Sequence, residues 1–315
     1  MTRYVLTRLA EVVPTILGIA VVTFLIMRLL PGDPAAFIAG DNLGAAELEA
    51  VRERLGLSQP LPAQLASYLG GLVVFDFGTS IFTNIPVRGL IFDALPVTVA
   101  IAVASMVLGT VVAIPLGAFS AFQAWKGRKT IDQAITWVAM VVDQMPSFWL
   151  GLIFMLVFVL ELGWFPATGA VPWDDPGELI LRLLPAVLIL AANQVANIVR
   201  LTRTSVRDVL DEDYIRTATS LGESGLSTLF RQATRNGMLP VVTALGLSFG
   251  RLLGGTIILE TIFALPGLGT LLVNAINSRD YPVVQGVVFV YALLFVLTNL
   301  ATDLSYRRID PRVRF

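Results

Sequence analysis

The chain of 315 residues contains no cysteine and no histidine, and only 14% of its residues are charged. Without cysteine there are no disulfides and no thiolate nucleophiles. Without histidine there is no imidazole base and the commonest zinc ligand is missing. Catalysis within this chain is therefore not expected, and no metal site is. Soluble domains carry about 25% charged residues, so this chain has too few charges to cover a globule of its size. Its formal net charge of −1 gives no reason to expect a nucleic-acid partner. A phosphate-binding loop is also missing. The nearest approach, "KGRKT" at Lys126–Thr130, has Arg128 between Gly127 and Lys129, and Phe122 where the first glycine belongs.

What is present is apolar: 56% of residues are hydrophobic and the mean hydropathy is +0.78. A helix needs about 20 apolar residues to cross the hydrocarbon core. Six segments qualify, at about Leu9–Leu30, Pro96–Phe122, Ile131–Leu160, Leu183–Val199, Met238–Phe263 and Val283–Leu304. The first exceeds the roughly 7–15 residues of a signal-peptide core and is read as a retained span. The expected fold is an all-α membrane protein with six transmembrane helices.

Orientation follows from Lys and Arg. Arg3 and Arg8 precede span one; Lys126, Arg128 and Lys129 separate spans two and three. Arg200, Arg203, Arg207, Arg216, Arg231 and Arg235 lie between four and five, and Arg307, Arg308, Arg312 and Arg314 end the chain. All fall on one side of a six-span layout, which places both termini in the cytoplasm. The opposite loops hold mainly Arg52, Arg54, Arg88, Arg182 and Arg279, diluted by carboxylates. The expected organisation is a tail and first span (1–30), an external segment (31–95), a five-span core (96–304) with a cytoplasmic loop at about 201–237, and a tail (305–315). In the external segment "AAELEAVRERLGL" reads as an amphipathic helix ending at Gly56. "LASYLGGLVVF" is too short for a seventh span and reads as interfacial. Whether this segment docks a partner or caps the bundle stays open.

The polar stretch "DYIRTATSLGESG", Asp213–Gly225, stands apart from this apolar background. Upstream and within it, Val206, Leu210, Tyr214, Ala218 and Leu221 recur at helical spacing and are expected on one face. Gly222 supplies the freedom that ends a helix. Ser224 is placed to cap a second short helix, with Leu226, Leu229, Phe230 and Ala233 on one side. From the residues alone, this helix–Gly–helix unit could rest on anionic lipid headgroups or dock a cytoplasmic partner.

"DYIRTATSLGESG" followed by "RQATRNGMLPVVT" resembles the cytoplasmic signature of the membrane subunits of bacterial ABC importers, in the dipeptide/oligopeptide/nickel permease family (B-type subunit). The resemblance runs along the chain through "RLLPGDPAA", "RLGLSQPLPAQ", "FDFGTSIFTNIPV", "PSFWLG", "RLTRTSVRDVL", "LETIFALPGLG", "RDYPVVQG" and "DLSYRRIDPRVRF". It implies that the polar stretch docks an ATPase, with Tyr214, Arg216, Thr217, Ala218, Leu221, Gly222, Glu223, Ser224 and Gly225 as coupling residues. It also implies a bacterial inner-membrane location and partners: a second permease subunit (a different chain, as is usual in this branch, or a second copy), two ATPase subunits and an external binding protein. No cofactor is expected in this chain; ATP and Mg belong to the ATPases. The sequence departs from the general pattern in two places. Arg216, Thr217 and Ala218 stand where Glu-Ala-Ala is usual, and Thr219, Ser220 and Leu221 precede Gly222 where a basic residue is common.

Ionisable residues within spans are costly and commonly functional. Asp143 and Arg251 are two such residues, and Asn193 and Asn197 share a helical face with Gln194 beside them. Either Asp143 and Arg251 neutralise each other and the asparagines join neighbouring helices, or these residues line a path for a polar cargo. The path is the reading favoured for Arg251, Asn193 and Asn197, and mutual neutralisation for Asp143. Arg28 is expected to snorkel, Glu260 to act as a gate or helix-end contact, and Pro115 and Pro146 to kink their spans. A self-contained secondary transporter is the alternative class, but the two halves show no convincing repeat. A membrane enzyme is more remote still. Cargo within the family ranges over short peptides, nickel complexes, glutathione and sugar-like or opine compounds.

Overall fold

In a bilayer every backbone N–H and C=O of an apolar run must find its partner within the run, so such runs become helices. A computed structural model of the chain describes residues 2–29, 49, 52–53, 58–166, 169 and 171–309. Its elements are α1 (Thr2–Leu29), α2 (Leu61–Val73), α3 (Val87–Trp125), α4 (Lys129–Gln144), α5 (Ser147–Phe154, continued by a π-helix Met155–Glu161) and α6 (Pro176–Leu210). They continue with α7 (Asp213–Ser220), α8 (Gly225–Ser227, continued by a π-helix Thr228–Thr234), α9 (Met238–Ile262), α10 (Leu268–Asn277) and α11 (Tyr281–Ile309). Among the described residues there is no strand, only an isolated bridge between Thr79 and Pro86. The proposed amphipathic helix before Gly56 lies largely outside the described residues.

Five helices among the described residues are long and apolar enough to cross a membrane: α1, α3, α6, α9 and α11. A sixth crossing is available if α4 and α5 count as one broken span, bent by 92°. Pro146 explains the break. Its ring disfavours the α region for the residue before it, and Met145 accordingly sits at φ −83°, ψ 119°. A kink was expected here; the bend is far sharper. By contrast, α3 continues through Pro115. Its 39 residues and the 35 of α6, at about 1.5 Å each, far exceed the thickness of a hydrocarbon core. Both outrun the spans read from hydropathy. The 13-residue α2 is too short to cross.

The chain divides into two units. In the first (Met1–Thr98 and Pro266–Val296), α1 packs on α2, with Phe24 stacked on Tyr68 at 5.7 Å. Val87, Ile91, Leu268 and Val287 form its core. The loop after α2 is fastened to the start of α11: Ser80 Oγ donates to Asp280 Oδ2 at 2.5 Å and Ile81 N to Oδ1 at 3.2 Å.

In the second unit (Val99–Leu265 and Leu297–Phe315), α4, α5 and α9 pack against α6. Close approach of α3 to α6 depends on Gly117. A Cβ there would stand 2.6 Å from the Val199 carbonyl oxygen, so any larger residue would push the helices apart, consistent with small residues at membrane helix contacts. Ile198, Val199 and Val241 close the core beside it.

Candidate functional site

The polar stretch is a folded unit with two short helical arms. α6 ends at Leu210 and the chain turns through Asp211 and Glu212, whose ψ of 149° is extended. α7 then starts afresh, which breaks the continuous stripe expected from Val206 to Leu221. Val206 and Leu210 are buried, but in α7 the buried residue is Ile215, while Tyr214 and Leu221 are exposed. Two non-helical residues reset the phase, so spacing across them no longer defines a face.

Gly222 ends α7 at φ +89°, a left-handed conformation that costs other L-residues roughly 1–2 kcal/mol. The N–H of Gly222 bonds the Thr219 carbonyl at 3.1 Å and that of Glu223 the Ala218 carbonyl at 3.1 Å, the paired bonds of a Schellman cap. Ser224 then caps α8, its Oγ accepting from Ser227 N at 3.3 Å. The Glu223 carboxylate accepts from Ser227 Oγ at 2.8 Å and from Gln232 Nε2. Tyr214 Oη accepts from Asn236 Nδ2 at 2.9 Å, which ties the two arms together. Thr217 and Ser220 bond back to carbonyls within α7, and Arg216 meets Asp213 in solvent.

The underside of this unit is apolar. Ile215, Leu229 and Ala233 pack with Ala118, Ala121 and Phe122 of α3 and with Val206 and Leu210 of α6. Its outer surface keeps four large apolar side chains exposed: Tyr214 at 44%, Leu221 at 84%, Leu226 at 61% and Phe230 at 57%. Leu226 and Phe230 therefore do not share the buried side with Leu229 and Ala233. The unit stands on the ends of two long helices and presents an apolar, hydroxyl-rich top.

The polar residues within the spans separate into different sites. Asp143 accepts from Asn197 Nδ2 at 2.9 Å and from Arg200 at 2.6 Å, so its cation is Arg200 and not Arg251. Near the C-terminal end of α4 a carboxylate opposes the helix dipole, and Arg200 and Asn197 offset that. Asn193, one turn along α6, has its Oδ1 buried without a hydrogen-bond partner among the described residues. Arg251 is exposed on α9 and, among the described residues, donates only to Ser248, at 2.8 Å. The structure thus joins Asn197 to Asp143 and leaves Arg251 apart from both. Arg28 is half-buried, its guanidinium 5.3 Å from the Phe24 ring centroid and 5.9 Å from that of Tyr281. Glu260 is fully buried.

One ion pair was not singled out from sequence. Asp132, 5% exposed, is held by the Arg203 guanidinium through both carboxylate oxygens and by Ser120 Oγ at 2.7 Å. The signal was available: a carboxylate one residue into the expected third span.

Five long apolar helices, or six with the broken pair, and a capped, partly apolar unit between α6 and α9 define a multi-pass membrane protein. Known proteins narrow this. The family described as "Binding-protein-dependent transport system inner membrane component" matches residues 113–315, and its N-terminal counterpart matches residues 1–102. A protein named as a peptide transport system permease in Brucella abortus (strain 2308) is 43% identical over 319 residues, covering 100% of both chains. The glutathione transport system permease protein GsiC of Salmonella choleraesuis is 40% identical over 318 residues, again covering 100% of both. Among solved structures, inward-facing forms of the MetNI methionine ABC transporter share the fold, with a TM-score of 0.57 at 13% identity over 70% of this chain and 96% of theirs. The chain belongs to the family of binding-protein-dependent transport system inner membrane components, the ABC transporter permeases.

Proposed function

We propose that the chain is one of two membrane subunits of an ATP-driven importer in the bacterial inner membrane, carrying short peptides or a related small polar solute. Six spans, counting α4–α5 as one, leave both termini and the α7–α8 unit in the cytoplasm. That unit docks an ATPase subunit, where Mg-ATP is bound and hydrolysed, and passes its movement into α6 and α9. Tyr214, Arg216, Thr217, Ala218 and Leu221 form the first arm of the contact, and Gly222, Glu223, Ser224 and Gly225 the turn into the second. The observation that carries this reading is the double capping of the unit over a buried apolar foot. A rigid body transmits displacement where a flexible loop would absorb it.

The second permease subunit, a different chain, supplies the other half of the path, and an external binding protein delivers cargo to the side bearing residues 31–95. Relatives named for peptide and glutathione transport support a peptide-like cargo. Arg251 and Asn193 line the path, with Arg251 meeting a cargo carboxylate, while Asn197 and Asp143 hold its wall. The organisation read from sequence (1–30, 31–95, 96–304 and 305–315) stands as the working division. Uptake into proteoliposomes holding the complete complex tests the cargo. Labelled di- or tripeptide should enter only with ATP on the ATPase side and binding protein on the other. Uptake driven by an ion gradient without ATP would favour a secondary transporter.

A further inference from the structure

An apolar cavity of about 390 Å³ opens between α4 and α6, within the roughly 300–1,000 Å³ of small-molecule sites. Ala134, Val138 and Val142 line it from α4, and Ala192, Val195 and Val199 from α6. From Ala134 to Val142 it follows about 12 Å of helix. Val138 is 57% exposed on its rim, so the cavity is a groove open along one side. The two carboxylates of α4 that face α6, Asp132 and Asp143, bracket it with their arginines.

The charges at the start of α4 indicate what fills the groove. Arg200, Arg203 and Arg207 on α6 each have an aspartate partner. Lys126, Arg128 and Lys129, at the turn into α4, have no ion-pair partner among the described residues. Lys126 Nζ lies 4.5 Å from the centroid of the Phe122 ring. Arg128, at the N-cap of α4, gives that helix end no side-chain cap, and the acidic residue of the first turn, Asp132, is paired with Arg203, so the positive dipole end adds to the three cations. An apolar groove inside the membrane, running towards an unneutralised cationic cluster at the membrane surface, matches an amphiphile with an anionic head.

We propose that this groove and cluster form a site for one anionic phospholipid, its acyl chain in the α4–α6 groove and its phosphate on Lys126, Arg128 and Lys129. An acyl chain gains little by leaving bulk lipid for an equally apolar groove, so selectivity rests on the headgroup charge. The site adjoins the α7–α8 unit. A Cβ at Gly225 would lie 3.0 Å from Phe122 Cζ and 3.7 Å from Lys126 Cε. A lipid phosphate there stiffens the foot of that unit, so coupling should depend on anionic lipid. The lipid site itself needs only that α3 and the α4–α5 pair lie in a membrane; its effect on coupling rests on the proposed role of the α7–α8 unit.

Native mass spectrometry of the purified complete complex, delipidated and then titrated with phosphatidylglycerol or phosphatidylcholine of the same acyl chains, tests it. One phosphatidylglycerol per copy should be retained in preference to phosphatidylcholine. Arg128→Gln with Lys129→Gln should weaken its retention by roughly an order of magnitude. Ala134→Phe, at an exposed position on the groove, should displace the same lipid with the cations intact. Equal retention of both lipids would overturn the proposal. So would loss in the charge variant with full retention in Ala134→Phe, which would mean headgroup contact alone. Cross-linking of Ala134→Cys to the second permease subunit would give the groove to a protein helix and overturn it too. ATPase activity of the same samples, with and without binding protein, reads the transport role independently.

Discussion

Two residues of like type differ in how much rests on them. Asp132 and Asp143 each pair with an arginine of α6, but Asp132 is buried, held through both oxygens and joined by Ser120, while Asp143 and Arg200 are more open, at 18% and 36% against 7% and 29% for Asp132 and Arg203. Removing one partner of a buried pair strands the other charge and costs about 3–5 kcal/mol. Solvent screening lowers that towards about 1 kcal/mol at the more open pair. Asp132→Ala should therefore lower the thermal midpoint of the purified complex clearly more than Asp143→Ala, read by fluorescence-detected size exclusion after heating. Equal shifts would mean that burial does not separate the two. Arg251, exposed and, among the described residues, bonded only within its own helix, should behave differently again. Arg251→Ala is expected to leave the midpoint unchanged, within about 0.5 kcal/mol of stability, and to reduce uptake of cargo bearing a free carboxylate more than uptake of the amidated form. Gly222→Ala places a Cβ on a left-handed backbone and should cost about 1–2 kcal/mol locally, seen as faster amide exchange at Gly222–Ser224.

At the scale of elements, the sequence carried the spans well and their ends poorly. Twenty-residue apolar windows mark where a helix meets lipid, yet α6 continues beyond its window on the arginine-rich stretch 200–210, and α3 begins nine residues before its window, through Arg88 and Asp93. Pro146 announced a break between α4 and α5, though not its 92°, because the angle depends on how both pieces pack against α6 and α9. Gly222 and Ser224 were legible because each does a local job, ending one helix and starting the next. The buried face of α7 was not: spacing carried over from α6 selected Tyr214, whereas the turn at Asp211–Glu212 brought Ile215 inward. Asp143 was recognised as unusual, but choosing Arg200 over Arg251 required knowing which helices touch. Ile215 now offers a direct check on the foot of the unit. Ile215→Ala should cost about 2–5 kcal/mol, and protease sensitivity should rise at residues 211–225 before it rises in the spans. Uniform sensitisation would mean that the unit does not unfold separately.

For the whole molecule, long apolar helices dominate the described residues, and the work proposed for them is movement. Membership of the binding-protein-dependent permease family accords with that proposal. The α7–α8 unit combines a cap at each arm, a shared apolar foot on α3 and α6, and an exposed apolar top, which suits a part pushed from outside. The most direct test compares ATP hydrolysis by the reconstituted complex, with and without loaded binding protein, in the wild type and in Gly222→Pro. Stimulation in the wild type, with a folded and assembled variant that still hydrolyses ATP but no longer responds to binding protein, is the expected result. Undiminished stimulation in Gly222→Pro would contradict coupling through this unit.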